Sequence, residues 1–137
     1  MGSIHRSAHL DVTADEAWDF LDRYTRSEVH VFSMCRAERQ EGEYRVVTLH
    51  DGTELWERNV TVDPERRRAT YTVPGLNGAE HHHAEMRIEA EANGRTRLIW
   101  VTDLLPDHLA EDRADTYDTL FAELVTAINT FAPGTRR

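Results

Sequence analysis

From Ile4 to Val12 the chain alternates, with Ile4, Arg6, Ala8, Leu10 and Val12 on one side and His5, Ser7, His9 and Asp11 on the other. That period of two predicts a half-buried strand. Thr13-Ala14-Asp15-Glu16 then has the form of a capping box, in which the threonine hydroxyl accepts from the Glu16 amide and the glutamate side chain reaches back. Ala17, Trp18, Leu21 and Tyr24 continue as the buried stripe of a short helix. Residues 26–31 read as a second, short helical turn, and 32–38 returns to an extended pattern. Strands are predicted over 44–50, 53–62, 68–73, 81–91 and 95–105, separated by Asp51-Gly52, Asp63-Pro64-Glu65, Pro74-Gly75-Leu76-Asn77-Gly78 and Asn93-Gly94. These breakers tolerate positive φ or preset it, which is why they turn a chain. The period changes once more over 111–131, where Tyr117, Leu120, Phe121, Leu124, Ile128 and Phe131 recur at helical spacing. They make one stripe of an amphipathic helix of roughly six turns. Asp107 or Asp112 can cap its start, and Pro133-Gly134 forbids its continuation.

The resulting order is strand, two helices, six strands, long helix. A long helix and a long antiparallel sheet each carry an apolar face that the other can cover. The expected class is therefore α+β, a curved antiparallel sheet wrapped around the C-terminal helix (β-α-α-β-β-β-β-β-β-α). A lipocalin barrel would not place two helices after its first strand, and a cystatin-like fold would usually begin with helices. No internal repeat or linker is visible, so residues 1–137 are expected to form a single domain.

Composition narrows the function classes. A chain of 137 residues buries roughly two-thirds of its unfolded surface and needs no disulfide or metal as a staple. Cys35, the single cysteine, has no intrachain partner. No signal-peptide pattern is present, and no apolar run approaches the ~18 residues of a membrane span, so a cytoplasmic monomer or homodimer without a membrane partner is expected. The net charge is −9, and the basic cluster Arg66-Arg67-Arg68 falls in a turn, which argues against nucleic acid as a partner. The chain has no lysine; all sixteen basic residues are arginine. Lysine Schiff-base chemistry is excluded, and arginine stays protonated, so it cannot serve as the base instead. A phosphate-cradling glycine loop and paired CxxC motifs are also absent, and no cofactor is expected.

Over nearly its whole length the chain resembles the SRPBCC superfamily, the START-like helix-grip fold, and within it the polyketide cyclase/dehydrase-like group. The resemblance rests on SIHRSAHLDVTADEAWDFL, DGTELWERNVTVDPERRRATYTV, HHHAEMRI and RLIWVTDLLPD, followed by the terminal helix. It implies a sheet that grips the last helix and leaves a cavity between them. It also implies one of two activities: aromatisation, cyclisation or dehydration of polyketide-like intermediates, or binding and carriage of a small hydrophobic ligand. Where many relatives carry a Trp-Pro-Gly-like segment, this chain has Val31-Phe32-Ser33-Met34, which implies a differently shaped cavity mouth.

The register of the hairpin at Asp51-Gly52 decides which side chains share a face. A two-residue loop pairs Val46 with Glu57, whereas a connection with Gly52 in the left-handed conformation pairs Arg45 with Glu57. The second is favoured because it groups Arg45, Val47 and Leu49 with Leu55, Glu57 and Asn59, the inward set implied by the resemblance. Glu57 is then a cavity carboxylate held by Arg45, and charge pairing is expected to keep it ionised. The alternative, an exposed sheet pair, makes Trp56, Val60 and Val62 the core side. In His81-His82-His83, His81 and His83 point together and His82 points with Ala84, Met86 and Ile88. Glu85 extends the His81/His83 row, but solvated histidines explain that row more simply than a metal site, and none is expected. His82 is a candidate cavity imidazole or a hydrogen-bonded core histidine. Tyr71, in line with Ala69 and Val73, is a candidate donor, and Asp103 is an expected strand-end anchor. The expected lining is Leu55, Tyr71, Met86, Trp100, Leu120 and Leu124, with Asn59 on the same face and His30 at the entrance. As catalytic residues Glu57 or His82 would be the base, and Arg45 and Tyr71 the donors to a developing charge. A third reading uses the outer sheet face to bind a protein partner.

Overall fold

The computed structural model describes residues 2–131. Seven antiparallel strands make one sheet: β1 (Ser3–Leu10), β2 (Cys35–Glu41), β3 (Tyr44–Leu49), β4 (Glu54–Asp63), β5 (Arg68–Thr72), β6 (His81–Ala90) and β7 (Thr96–Leu105). Their spatial order is β1-β7-β6-β5-β4-β3-β2. Strands β2 to β7 are successive neighbours, and β1 returns to pair with the last of them. The helices are α1 (Ala14–Thr25), between β1 and β2, and α2 (His108–Thr130) at the end. Ala17 and Leu21 of α1 and Phe121, Leu124 and Ile128 of α2 share one core with Tyr71, Ala84, Met86, Leu98 and Trp100. Those strand residues lie on one face, so both helices cover the same side of the curved sheet. This is the α+β helix-grip architecture.

Local chemistry sets the boundaries. The capping box forms, with the Glu16 amide donating to Thr13 Oγ1 at 3.1 Å and the Thr13 amide donating to Glu16 at 2.9 Å. Phe20 is buried on α1 while Trp18 is only half-buried, so the stripe is rotated slightly from the expected one. The second helical turn at 26–31 does not form, and β2 starts at Cys35. Ser27 takes a left-handed φ of 59°, and the Glu28 amide donates back to Arg23 O at 2.9 Å. The last α1 carbonyls are instead met by side chains from the sheet: Arg45 Nη1 donates to Tyr24 O at 3.2 Å and Asn59 Nδ2 to Thr25 O at 2.9 Å. A helix end satisfied in this way has no need of another turn.

At the other end α2 starts a turn earlier than expected because Leu109 and Ala110 pack in a separate cluster with Ile4, Ala79 and Leu104. Asp107 stands at the N-cap position without a side-chain cap hydrogen bond. Pro133-Gly134, the expected stop, lies outside the described residues.

The β3–β4 hairpin fixes the site. The Leu49 amide donates to Thr53 O at 2.8 Å, the Gly52 amide to Leu49 O at 3.0 Å, and Gly52 has φ 91°. Arg45 is thereby paired with Glu57, and Val47 with Leu55. Trp56, Val60 and Val62 are exposed on the opposite face, which excludes the alternative core side. That outer face is laced with ion pairs. Glu85 is held by Arg68 and by Arg87, the latter at 2.8 Å, and the turn arginines Arg66 and Arg67 pair with Asp63 and Asp15.

Candidate functional site

Between the inner sheet face and α2 lies a cavity of about 980 Å³ including its mouth. The sheet contributes Val47, Leu49, Leu55, Glu57, Tyr71, His82 and Trp100; the helices contribute Tyr24, Arg113, Thr116, Tyr117 and Leu120; Phe32 and Cys35 close one side and Val73 to Asn77 another. The opening runs past Met34, Thr53 and Glu54 to Tyr44 and Trp56. Aliphatic and aromatic side chains share the wall. Phe32 and Tyr117 stack on Trp100 with ring centroids at 5.9 and 5.5 Å, and Tyr24 meets Phe32 edge-on at 6.0 Å. Such a pocket, apolar with a few converging polar groups, suits a ring-bearing small molecule.

Glu57 is the carboxyl in this wall. Its side chain is 16 % exposed, and that exposure is onto the cavity it lines. Arg45 Nε donates to Glu57 Oε1 at 3.2 Å from behind. Arg45 itself, 3 % exposed, has its guanidinium 3.9 Å from the Tyr24 ring centroid and does not line the cavity. Burial works against its charge, but Tyr24 and Glu57 hold its pKa above the ordinary value. For Glu57 the outcome differs. Burial raises its pKa, Arg45 pulls it down less than burial pushes it up, and the charge of Glu38 adds to the rise. The expected pairing with Arg45 is present, but it does not outweigh burial in setting the direction of this shift.

His82 lies 6 % exposed on the cavity wall. Its Nδ1 accepts the Val73 amide at 3.0 Å, so the neutral ring carries its proton on Nε2. Burial, helped by His83 and His81, lowers its pKa to about 4. With Nδ1 occupied and Nε2 protonated, the ring is a donor rather than a base at neutral pH, which corrects the choice of His82 as an alternative base. Tyr71, raised by burial and by the charges of Tyr24 and Glu57, and Tyr117, raised by burial, keep their protons and can donate. The Tyr71 hydroxyl lies near the Trp100 indole, yet no hydrogen bond of acceptable geometry forms and Trp100 Nε1 is buried without a partner.

Other expected positions fall elsewhere. Met86 and Leu124, 1 % and 0 % exposed, are not part of the cavity wall but pack in the core shared by the sheet and both helices. Asn59 is spent on the α1 terminus. His30 is an exposed residue whose Nδ1 pairs with Glu38 at 2.9 Å. Asp103 accepts from Ser3 Oγ at 2.6 Å, a link at the β1–β7 strand ends. Among the described residues no group of three or more His, Cys, Asp or Glu is placed to hold a metal ion, and no helix is long and apolar enough to cross a membrane.

Sequence reasoning missed Phe32, in the irregular segment after α1, Cys35, at the start of β2, and Arg113. The last had a signal: it falls between Ala110 and Tyr117 on the stripe of α2, a charge at an apolar position.

The sequence model of the family described as polyketide cyclase / dehydrase and lipid transport matches residues 1–128. The chain belongs to that family. No curated protein matches the sequence. Among solved structures, the fold is similar to protein XoxI of Bacillus cereus, with a TM-score of 0.76 at 13% identity over 95% of this chain and 94% of that one. It is similar to a protein of Thermobifida fusca, with a TM-score of 0.75 at 21% identity over 96% and 95%. It is also similar to norcoclaurine synthase of Thalictrum flavum, with a TM-score of 0.72 at 14% identity over 93% and 84%. At these identities the likeness is one of fold. As a family member with an apolar internal cavity, the protein is built to bind a small hydrophobic ligand.

Proposed function

We propose that this protein is a cofactor-independent cyclase, aromatase or dehydratase acting in the cytoplasm on a hydrophobic polyketide-like or other specialised-metabolite intermediate. The observation that carries the reading is Glu57, a carboxyl facing an apolar-walled cavity with its pKa raised by burial and its position fixed by a cross-strand arginine. A carboxyl raised toward the working pH is a better base and, once protonated, a competent acid. The cavity holds a flexible chain folded so that its reacting carbons meet. Glu57 takes a proton from a carbon beside a carbonyl, and the enolate oxygen accepts hydrogen bonds from Tyr71 or His82 Nε2–H. The enolate carbon attacks a second carbonyl and closes the ring. Protonated Glu57 returns its proton to the new alkoxide, and loss of that hydroxyl with a neighbouring proton, as water, gives the unsaturated product. Arg45 positions Glu57. The Thalictrum flavum synthase, a point mutant of which has been seen with a transition-state analogue, is an instance of this fold as an enzyme scaffold.

A carrier of a hydrophobic ligand is the second reading, favoured by the predominantly apolar wall and by the loss of His82 as a base. Turnover of synthetic poly-β-ketone thioesters, followed by mass spectrometry, separates the two. Wild-type protein is expected to give a product lighter by water or a cyclised isomer, and Glu57→Gln to lose roughly 100-fold in rate. Recovery of bound, chemically unchanged thioester from both proteins would establish the carrier.

A further inference from the structure

Arg113 is the unbalanced charge of the cavity. Among the described residues, Arg36, Arg95 and Arg113 have no carboxylate partner in an otherwise closely ion-paired set of arginines. Arg36 and Arg95 are exposed, whereas Arg113 is half-buried and lines the cavity. Its Nε is buried with no hydrogen-bond partner, and so is the indole Nε1 of Trp100 in the same wall. The other charges lining this space are already matched, Glu57 by Arg45 and, at the mouth, Glu54 by Arg39. An acidic chain of net charge −9 thus places one uncompensated cation inside its ligand cavity, on a helix stripe where an apolar side chain would pack better. A half-buried guanidinium without a counter-ion is an incomplete pair.

We propose that the ligand completes it: the cavity takes an apolar, ring-bearing molecule that carries a carboxylate, and Arg113 holds that carboxylate while the rings lie against Trp100 and Tyr117. A single planar guanidinium matches a monovalent carboxylate, which it grips by two parallel hydrogen bonds; a phosphate dianion would call for further cations that this wall does not supply. Arg113 stands four residues before Tyr117 and so one turn along the same face. The carboxylate therefore marks one end of the ligand, leaving its other carbons to reach Glu57 on the sheet. The inference rests on the proposed ligand-binding cavity but not on the chemistry assigned to Glu57.

Pyrene-1-butyrate and pyrene-1-butanol share rings and chain and differ in the charged group, so fluorescence titration of both tests the proposal. Wild-type protein is expected to bind the butyrate about 10-fold or more tightly than the butanol, as a charge-assisted pair implies. In Arg113→Met that preference should vanish while butanol affinity is unchanged, which also shows that the variant is folded. Arg113→Lys should keep part of it. Equal binding of the two probes by wild-type protein, or a butyrate preference that survives in Arg113→Met, overturns the carboxylate inference and leaves the cavity reading standing. Failure of wild-type protein to bind either probe overturns both.

Discussion

Two side chains in one wall show how environment divides roles. Glu57 and His82 both face the cavity and both are shifted by burial, in opposite senses because the charged form of one is the deprotonated state and of the other the protonated state. His82 has a depressed pKa in the folded protein, about 4 against an ordinary 6.5. Its contribution to stability is present above 6.5 and is lost as pH falls to about 4, since the unfolded chain binds the proton first. Up to ~3 kcal/mol is involved. Urea unfolding across that window should show this slope in the wild-type protein and its loss in His82→Asn, whose side-chain oxygen can still accept from the Val73 amide. Glu57→Ala should destabilise the fold by ~3 kcal/mol because it strands the buried Arg45, and Glu57→Gln by less, as measured in the same way. The alternation of β4 made the direction of Glu57 legible in the sequence, and the strand period did the same for His82. The state of each group was not legible, because it depends on how much of the surrounding wall is closed by α1 and the segment after it, and on a backbone amide from Val73 that no spacing rule reveals.

At the level of elements, the β3–β4 hairpin carries the site and rests on one backbone conformation. Gly52 at φ 91° lets Leu49 pair with Thr53 and so sets Arg45 against Glu57. No atom stands within 4 Å of a Cβ added there, so Gly52→Ala should cost only the conformational penalty, about 1 kcal/mol, in a thermal melt. A loss of several kcal/mol would mean that the register itself had slipped. This hairpin was legible because turn chemistry and the alternation of apolar positions agree. The segment after α1 was not, since its conformation is dictated by distant side chains: Arg45 and Asn59 take up the helix carbonyls, and Ser27 donates to Gln40 at 2.8 Å. Helix α2 was legible as a stripe, but its first turn was not, because Leu109 and Ala110 are buried against residues from three other parts of the chain.

For the whole molecule, the account depends on the sheet and α2 standing apart with a cavity between them. Met86 and Leu124 are buried in the packed core, whereas Leu55 and Leu120 border the cavity. Residue periodicity assigns all four to the inner face but cannot say which of them border the cavity. Leu120→Trp, which fills the void, should abolish pyrene-1-butanol binding without lowering the melting temperature, since added bulk enters empty space rather than a packed core; a large loss of stability would show that the region is already full. The central claim is that this cavity holds a carboxyl tuned by burial. The most direct test is a carbon-13 NMR titration of the Glu57 side-chain carboxyl, assigned by comparison with Glu57→Gln. A midpoint above the ordinary 4.5 that moves when pyrene-1-butanol occupies the cavity is expected; a midpoint at or below 4.5, indifferent to the probe, would contradict the claim.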